Sequence, residues 1–182
     1  MNIFKYAFIL NSETLTPEAY YDSFESDSFQ VNVFGVSSME MTCRTVEKAV
    51  KEGVELIDLC GDFDEEKVYE IKSRIKQDIK IKFVRYIDTE MKKFNALDDI
   101  KTYGIIVKAE GFKPETHNIE LNSEELDTNV VGVSNMKQAC EEAKKMADSG
   151  IDFIELCSAF DEEKAGEIIR AVNGKIPVGF AG

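Results

Sequence analysis

Two stretches of the chain read almost alike: Gly53 to Lys67 is GVELIDLCGDFDEEK, and Gly150 to Lys164 is GIDFIELCSAFDEEK. Each spells one structural unit. A Gly ends a helix, a mostly apolar run makes a strand, a Cys and a small residue turn the chain, and an acidic run opens the next helix. The likeness extends well beyond these fifteen residues. Tyr6 to Arg85 aligns with Tyr103 to Gly182 at a constant offset of 97 without a gap, and roughly a third of the pairs are identical. Pro17-Glu18 answers Pro114-Glu115, Asn32-Val33 answers Asn129-Val130, and Gly35-Val36-Ser37 answers Gly132-Val133-Ser134. The chain is therefore read as a first α/β repeat over 1–86, a helical linker over 87–102 and a second repeat over 103–182. In the linker, Ile87, Met91, Phe94 and Leu97 fall at helical spacing after Asp88, a candidate cap.

Within one repeat, a first strand over Tyr6–Leu10 is apolar on both faces, as is a third over Val54–Cys60. Thr16-Pro17-Glu18 predicts a short helix between the first strand and the second, Phe29–Val36. A helix opens at Ser37, which makes a capping box with Glu40 and sets Met39, Cys43, Val46 and Val50 on one face. The next helix starts from Asp64 and carries Val68, Ile71 and Ile75. The fourth strand, Ile79–Val84, alternates with Lys80 and Lys82, and its twin holds Pro177, which costs a ladder hydrogen bond and places this strand at an edge. Strands joined by helical crossovers run parallel, and burial on both faces marks the first and third as central. Each repeat is thus expected to be a four-stranded, mainly parallel sheet of order 2-1-3-4, with a ligand crevice at the carboxyl ends of strands 1 and 3. The alternative is one closed eight-stranded parallel barrel.

Charge narrows the range of partners. A formal net charge of −13 and a pI near 4.6 repel phosphate backbones and anionic lipid, so neither nucleic acid nor a membrane surface is expected. With no long apolar run, a soluble cytoplasmic protein is expected. Cys43, Cys60, Cys140 and Cys157 recur as two matched pairs with no C-x-x-C, which fits duplication in a reducing compartment and not a disulfide framework.

The candidate chemistry lies at the predicted crevices. Period-two alternation puts Asp58 with Cys60, and Glu155 with Cys157 beside Ser158, on one strand face. Glu13 and Glu110 follow the first strand of each repeat, Asp62 adds a carboxylate to the first set, and His117, the chain's one histidine, sits near the second. A nucleophilic Cys157 aided by Glu155 and His117 is one reading. Nearby carboxylates oppose it, because they raise a thiol's pKa by as much as a helix end lowers it. Cys60 and Cys157 read better as small buried residues, and Cys43 and Cys140 as packing on a helix face. Acid-rich sets could instead take a divalent cation or a positively charged molecule, although no single element has ligand spacing. Asp64-Glu65-Glu66 and Asp161-Glu162-Glu163 occupy helix starts that a nucleotide phosphate would need. No phosphate-binding glycine motif is present, so FMN, NAD and ATP have no support.

Pro114 to His117 (PETH), Val130 to Ser134 (VVGVS) and Ile154 to Phe160 (IELCSAF) together resemble a family of small bacterial proteins known only as a domain of unknown function. The second copy is the better match in His117 and Glu155, where the first has Tyr20 and Asp58. The first keeps the family-like ending Phe83-Val84-Arg85-Tyr86. The resemblance implies that one repeat is a folding unit and brings no activity with it. The reading that follows is a non-catalytic small-molecule or cation-binding module whose repeats pack together, with a homo-oligomer possible. An enzyme built on Cys157, Glu155 and His117 is the second reading, and a structural or protein-interaction unit without ligand the third.

Overall fold

A computed structural model describes residues 3–182, so residues 1 and 2 of the first expected repeat lie outside the described residues. Contacts group the chain into one unit ending at Phe83 and a second, Val84–Gly182. The first contains β1 (Phe4–Asn11), β2 (Tyr21–Glu25), β3 (Phe29–Val36), α1 (Met39–Lys51), β4 (Leu56–Leu59), α2 (Glu65–Arg74) and β5 (Lys80–Phe83). The second contains α3 (Asp88–Phe94), β6 (Thr102–Lys108), β7 (Asn118–Leu121), β8 (Asp127–Val133), α4 (Met136–Ser149), β9 (Phe153–Leu156), α5 (Glu162–Ala171) and β10 (Val178–Phe180).

Each unit has its own five-stranded sheet, β2-β3-β1-β4-β5 and β10-β9-β6-β8-β7, and neither closes into a barrel. The parallel part, β3-β1-β4-β5, has the order expected from burial: β1 and β4 are interior, and β5 is at an edge. Val31, Val33, Ile9, Ile57 and Leu59 are wholly buried along these strands. Pro177 precedes β10, which is correspondingly one residue shorter than β5.

The fifth strand replaces the short helix predicted after Thr16. There Ala19 and Tyr20 donate backbone N–H groups to the Thr16 carbonyl and close a single turn, after which β2 runs antiparallel to β3. The hairpin connection is short, with Ser26 N–H on the Phe29 carbonyl. Tyr21 pairs directly with Phe34 across the strands and stacks on it at 4.8 Å, a cross-strand contact that outweighs a weak helical start. β7 repeats the arrangement, with Ile119 and Leu121 buried and Asn118 and Glu120 exposed.

Helix ends follow local rules, with two shifts of one residue. The cap of α1 is Ser38 and not Ser37: Ser38 is extended and its Oγ accepts the Met41 N–H at 3.2 Å, so the expected capping box with Glu40 does not form. Asn135 does the same for α4. Asp64 and Asp161 cap α2 and α5 by accepting from Lys67 and Lys164. Gly53 and Gly150, both at φ 90°, turn the chain after α1 and α4 as only glycine does cheaply.

Residues 84–94 form a strap on the second unit. Arg85 and Phe180 exchange both backbone hydrogen bonds at 2.9 Å in an antiparallel bridge on the outer edge of β10. The α3 helix forms as its spacing implies, but its cap is Ile87 and not Asp88, and its buried residue is Glu90, while Met91 is exposed. Glu90 turns inward because Oε2 accepts the outward-facing Val178 N–H at 3.1 Å, with Lys93 Nζ 2.6 Å from the same carboxylate. The exposed edge of β10 is thereby hydrogen-bonded at both outward positions. Among the described residues no helix is long and apolar enough to cross a membrane.

Candidate functional site

The carboxylates singled out by sequence occupy two different environments. Asp58 is fully buried on β4, and the Tyr6 hydroxyl donates to its Oδ2 at 2.8 Å. Its twin Glu155 on β9 is 1% exposed and receives two phenols: Tyr103, the counterpart of Tyr6, and Tyr86 from the strap at 2.7 Å. A buried carboxylate needs donors for its lone pairs, and phenol hydroxyls serve without bringing in a second charge: one donates to Asp58 and two to Glu155. Glu13 and Glu110, in contrast, are exposed on the turns after β1 and β6, and Asp62 lies exposed with Asn11 Nδ2 3.4 Å away. The expected acidic sets are therefore split between core and surface. No group of three or more His, Cys, Asp or Glu among the described residues could hold a metal ion.

The cysteines after β4 and β9 have the same role in both units. Cys60 Sγ accepts the Asn11 N–H at 3.2 Å, and Cys157 Sγ accepts the Lys108 N–H at 3.4 Å, each sulfur closing the end of the neighbouring central strand. Ser158, half-buried, continues the second of these turns. His117 is half-buried, with Nδ1 accepting the Lys113 N–H at 3.0 Å, Thr116 Oγ1 also at 3.0 Å, and its ring against Phe112. This geometry ties the imidazole to its own turn. On the helices, burial pushes the Cys43 thiol up, chiefly by desolvation, and Cys140 is raised for the same reason with Glu167 adding to it.

A cavity large enough for a ligand lies elsewhere on the first unit. It is an open groove of about 390 Å³ between the turn carrying Pro17 and Glu18 and the outer side of α1, with Phe34 of β3 between them. The helix contributes Met41, Arg44, Thr45 and Lys48. Thr45 is 4% exposed, and its Oγ1 has no hydrogen-bond partner among the described residues. A threonine inside a helix commonly returns its hydroxyl to the carbonyl one turn back, as Thr42 does to Ser38 at 2.8 Å. Thr45 does not, and a buried hydroxyl left this way costs about 1–3 kcal/mol.

Acids, thiols and histidine do not mark this groove, whose wall mixes Pro17, Phe34 and Met41 with Ser38, Thr45 and four charged residues. The signal that could have found it is divergence between paired positions. Met41, Arg44 and Thr45 face Gln138, Glu141 and Glu142 in the second repeat, while Lys48 and Lys145 agree. In the second unit Glu142 lies 2.5 Å from Lys145, and that hydrogen bond holds the lysine's pKa above its ordinary value, with Glu115 adding to it.

A smaller hollow of about 240 Å³ in the second unit, at Thr102, Asp127 and Gly150, has polar walls. No curated protein matches the chain. Its two halves, with their matched sheets, caps and cysteines, each match one family model, over residues 4–99 and 101–182, and the chain belongs to that family of unknown function, DUF6506.

Proposed function

We propose that the protein is a non-catalytic binding module for a small organic molecule, seated in the groove of the first unit. The observation that carries this reading is the groove itself, about 390 Å³ between the Pro17–Glu18 turn and α1, with Phe34 and Met41 in its wall. The volume falls in the range of small-molecule sites, and the wall combines apolar surface from Pro17, Phe34 and Met41 with polar and charged side chains of both signs. An organic molecule suits it better than a bare cation, because Arg44 and Lys48 stand among the lining residues beside Glu18 and Glu40. A binding role without catalysis also agrees with the engagements of Glu155, Cys157 and His117, which are structural.

The test is an amide-shift titration of the full chain with 2-phenylethanol, a neutral probe with an apolar body and one hydroxyl. Saturable shifts grouped at Phe34, Met41, Thr45 and Lys48 are the expected result. Shifts confined to other parts of the chain, or none, would remove the groove from consideration.

A further inference from the structure

We infer that the second unit binds a small primary alkylammonium ion in the hollow at the carboxyl end of α4, a site separate from the groove of the first unit. The first unit holds a cation of its own at the matching place. There Lys5 of β1 runs along the end of α1, its Cδ 3.8 Å from where a Cβ on Gly53 would stand, and its Nζ donates to the Glu52 carbonyl at 2.8 Å. A cation so placed meets the negative end of the helix dipole and supplies a donor to one of the carbonyls that the helix leaves without one.

The second unit lacks this cation. Thr102 stands at the position of Lys5, and its Oγ1 donates to Asp152 Oδ2 at 2.9 Å. Asp148 replaces Lys51, and α4 has no basic residue in its last turn. A Cβ on Gly150 would meet nothing within 4 Å, so the room that the Lys5 stem takes in the first unit stays open here, in the hollow of about 240 Å³ that Thr102 and Gly150 line. Sheet register brings two carboxylates to it. Asp127 on β8 lies opposite Thr102 on β6, and Glu120 on β7 lies opposite Asn129, two residues along β8 from Asp127 and therefore on the same face. The first unit has Gln30 and Ser23 at those places. Neither Asp127 nor Glu120 has an ion pair among the described residues, and Lys101, beside Thr102 in the chain, pairs with Asp99 at 3.0 Å. A divalent metal needs more oxygens than two carboxylates bring, whereas an ammonium has three N–H donors, which a helix-end carbonyl and these carboxylates satisfy.

The probe is n-butylammonium, the lysine side chain detached from its backbone, titrated into the full chain at neutral pH and constant ionic strength and followed by amide shifts. Saturable shifts grouped at Thr102, Asp127, Asn129 and Gly150 are the expected result. Exposed charge contacts are weak, so Asp127→Asn and Glu120→Gln should each weaken binding by about two- to five-fold. Thr102→Lys, which copies the first unit, should remove the shifts by filling the hollow with the protein's own ammonium. n-Butanol lacks the charge and tetramethylammonium lacks the N–H donors, so both should bind more weakly than n-butylammonium. The inference fails if either of them matches it, if neither carboxylate variant weakens it, if the shifts persist in Thr102→Lys, or if they spread over the acidic surface without saturating. None of these failures touches the groove, which has other residues and another probe.

Discussion

Replacing Thr45 by Val should make the ligand-free protein more stable. The two side chains have nearly the same shape and similar helix propensity, so the exchange mainly converts a buried hydroxyl into a methyl group. Because Thr45 Oγ1 has no partner among the described residues, the substitution removes an uncompensated desolvation cost of about 1–3 kcal/mol and loses no hydrogen bond. A net gain of about 1–2 kcal/mol corresponds to a rise of roughly 4–15 °C in the midpoint of a unit of this size. Thr42→Val is the matched control three residues earlier on the same helix. It forfeits the bond to the Ser38 carbonyl and should cost about 0.5–1.5 kcal/mol. Urea unfolding followed by circular dichroism measures both, with amide exchange on α1 assigning the change to the first unit, since two units need not unfold together. Loss of stability in Thr45→Val comparable to that in Thr42→Val would show the hydroxyl to be bonded.

Three further outcomes follow from the same structure. Glu155→Gln leaves one of two phenols without its acceptor, so thermal unfolding should show a loss of about 1–3 kcal/mol; an unchanged midpoint would place Glu155 outside the structural role assigned to it. Gly179→Ala should unseat the strap, because a Cβ there would stand 2.6 Å from Val84 Cγ1 and 2.7 Å from Tyr86 Cζ. The Phe180 amide, now bonded to the Arg85 carbonyl, would then exchange with solvent much faster, and unaltered exchange would count against the clash. Burial raises the Cys43 and Cys140 thiols, so iodoacetamide at pH 8.5 should modify both more slowly in the folded chain than in urea. The sign for stability follows: these two groups favour the folded state fully below the ordinary thiol pKa, and that contribution is lost as pH rises through the raised folded values. Faster labelling in the folded state would contradict the direction of the shifts.

The parallel core was legible because its causes are local in sequence. Apolar runs on both faces mark β1 and β4 as interior, Lys80, Lys82 and Pro177 mark the edge, and glycines at 53 and 150 end the helices. β2 was not, since Tyr21–Glu25 has only Phe24 buried in five residues and its pairing depends on Tyr21 reaching Phe34. β7 is shorter still, with Ile119 and Leu121 as its two buried residues. The strap could be read as a helix but not placed, because the role of Glu90 depends on an outward N–H of β10 far along the chain. The carboxylates were located on the correct strands, yet period-two alternation does not reveal whether a face meets solvent or two tyrosines. An unpaired hydroxyl is beyond any sequence pattern, because Thr42 and Thr45 are the same residue on one helix and differ only in what their oxygens reach.

The differences between the repeats sort into two sets, each supporting one property of one unit. In the second unit Gly179 leaves room for the Tyr86 ring, and Glu155 is long enough to receive that phenol in addition to Tyr103. The first repeat has Lys82 and Asp58 at these places, so a side chain stands where the strap's ring would lie, and the carboxylate is one methylene shorter. At the groove the bias runs the other way. With Thr45 in the first unit, Lys48 meets only Glu52 at 4.0 Å, whereas Glu142 lies 2.5 Å from Lys145 in the second. A drifting duplicate would scatter such changes without regard to contact. Here the residues that admit the strap fall in one copy and those that shape the groove fall in the other, so the two repeats have diverged at contacts that act together.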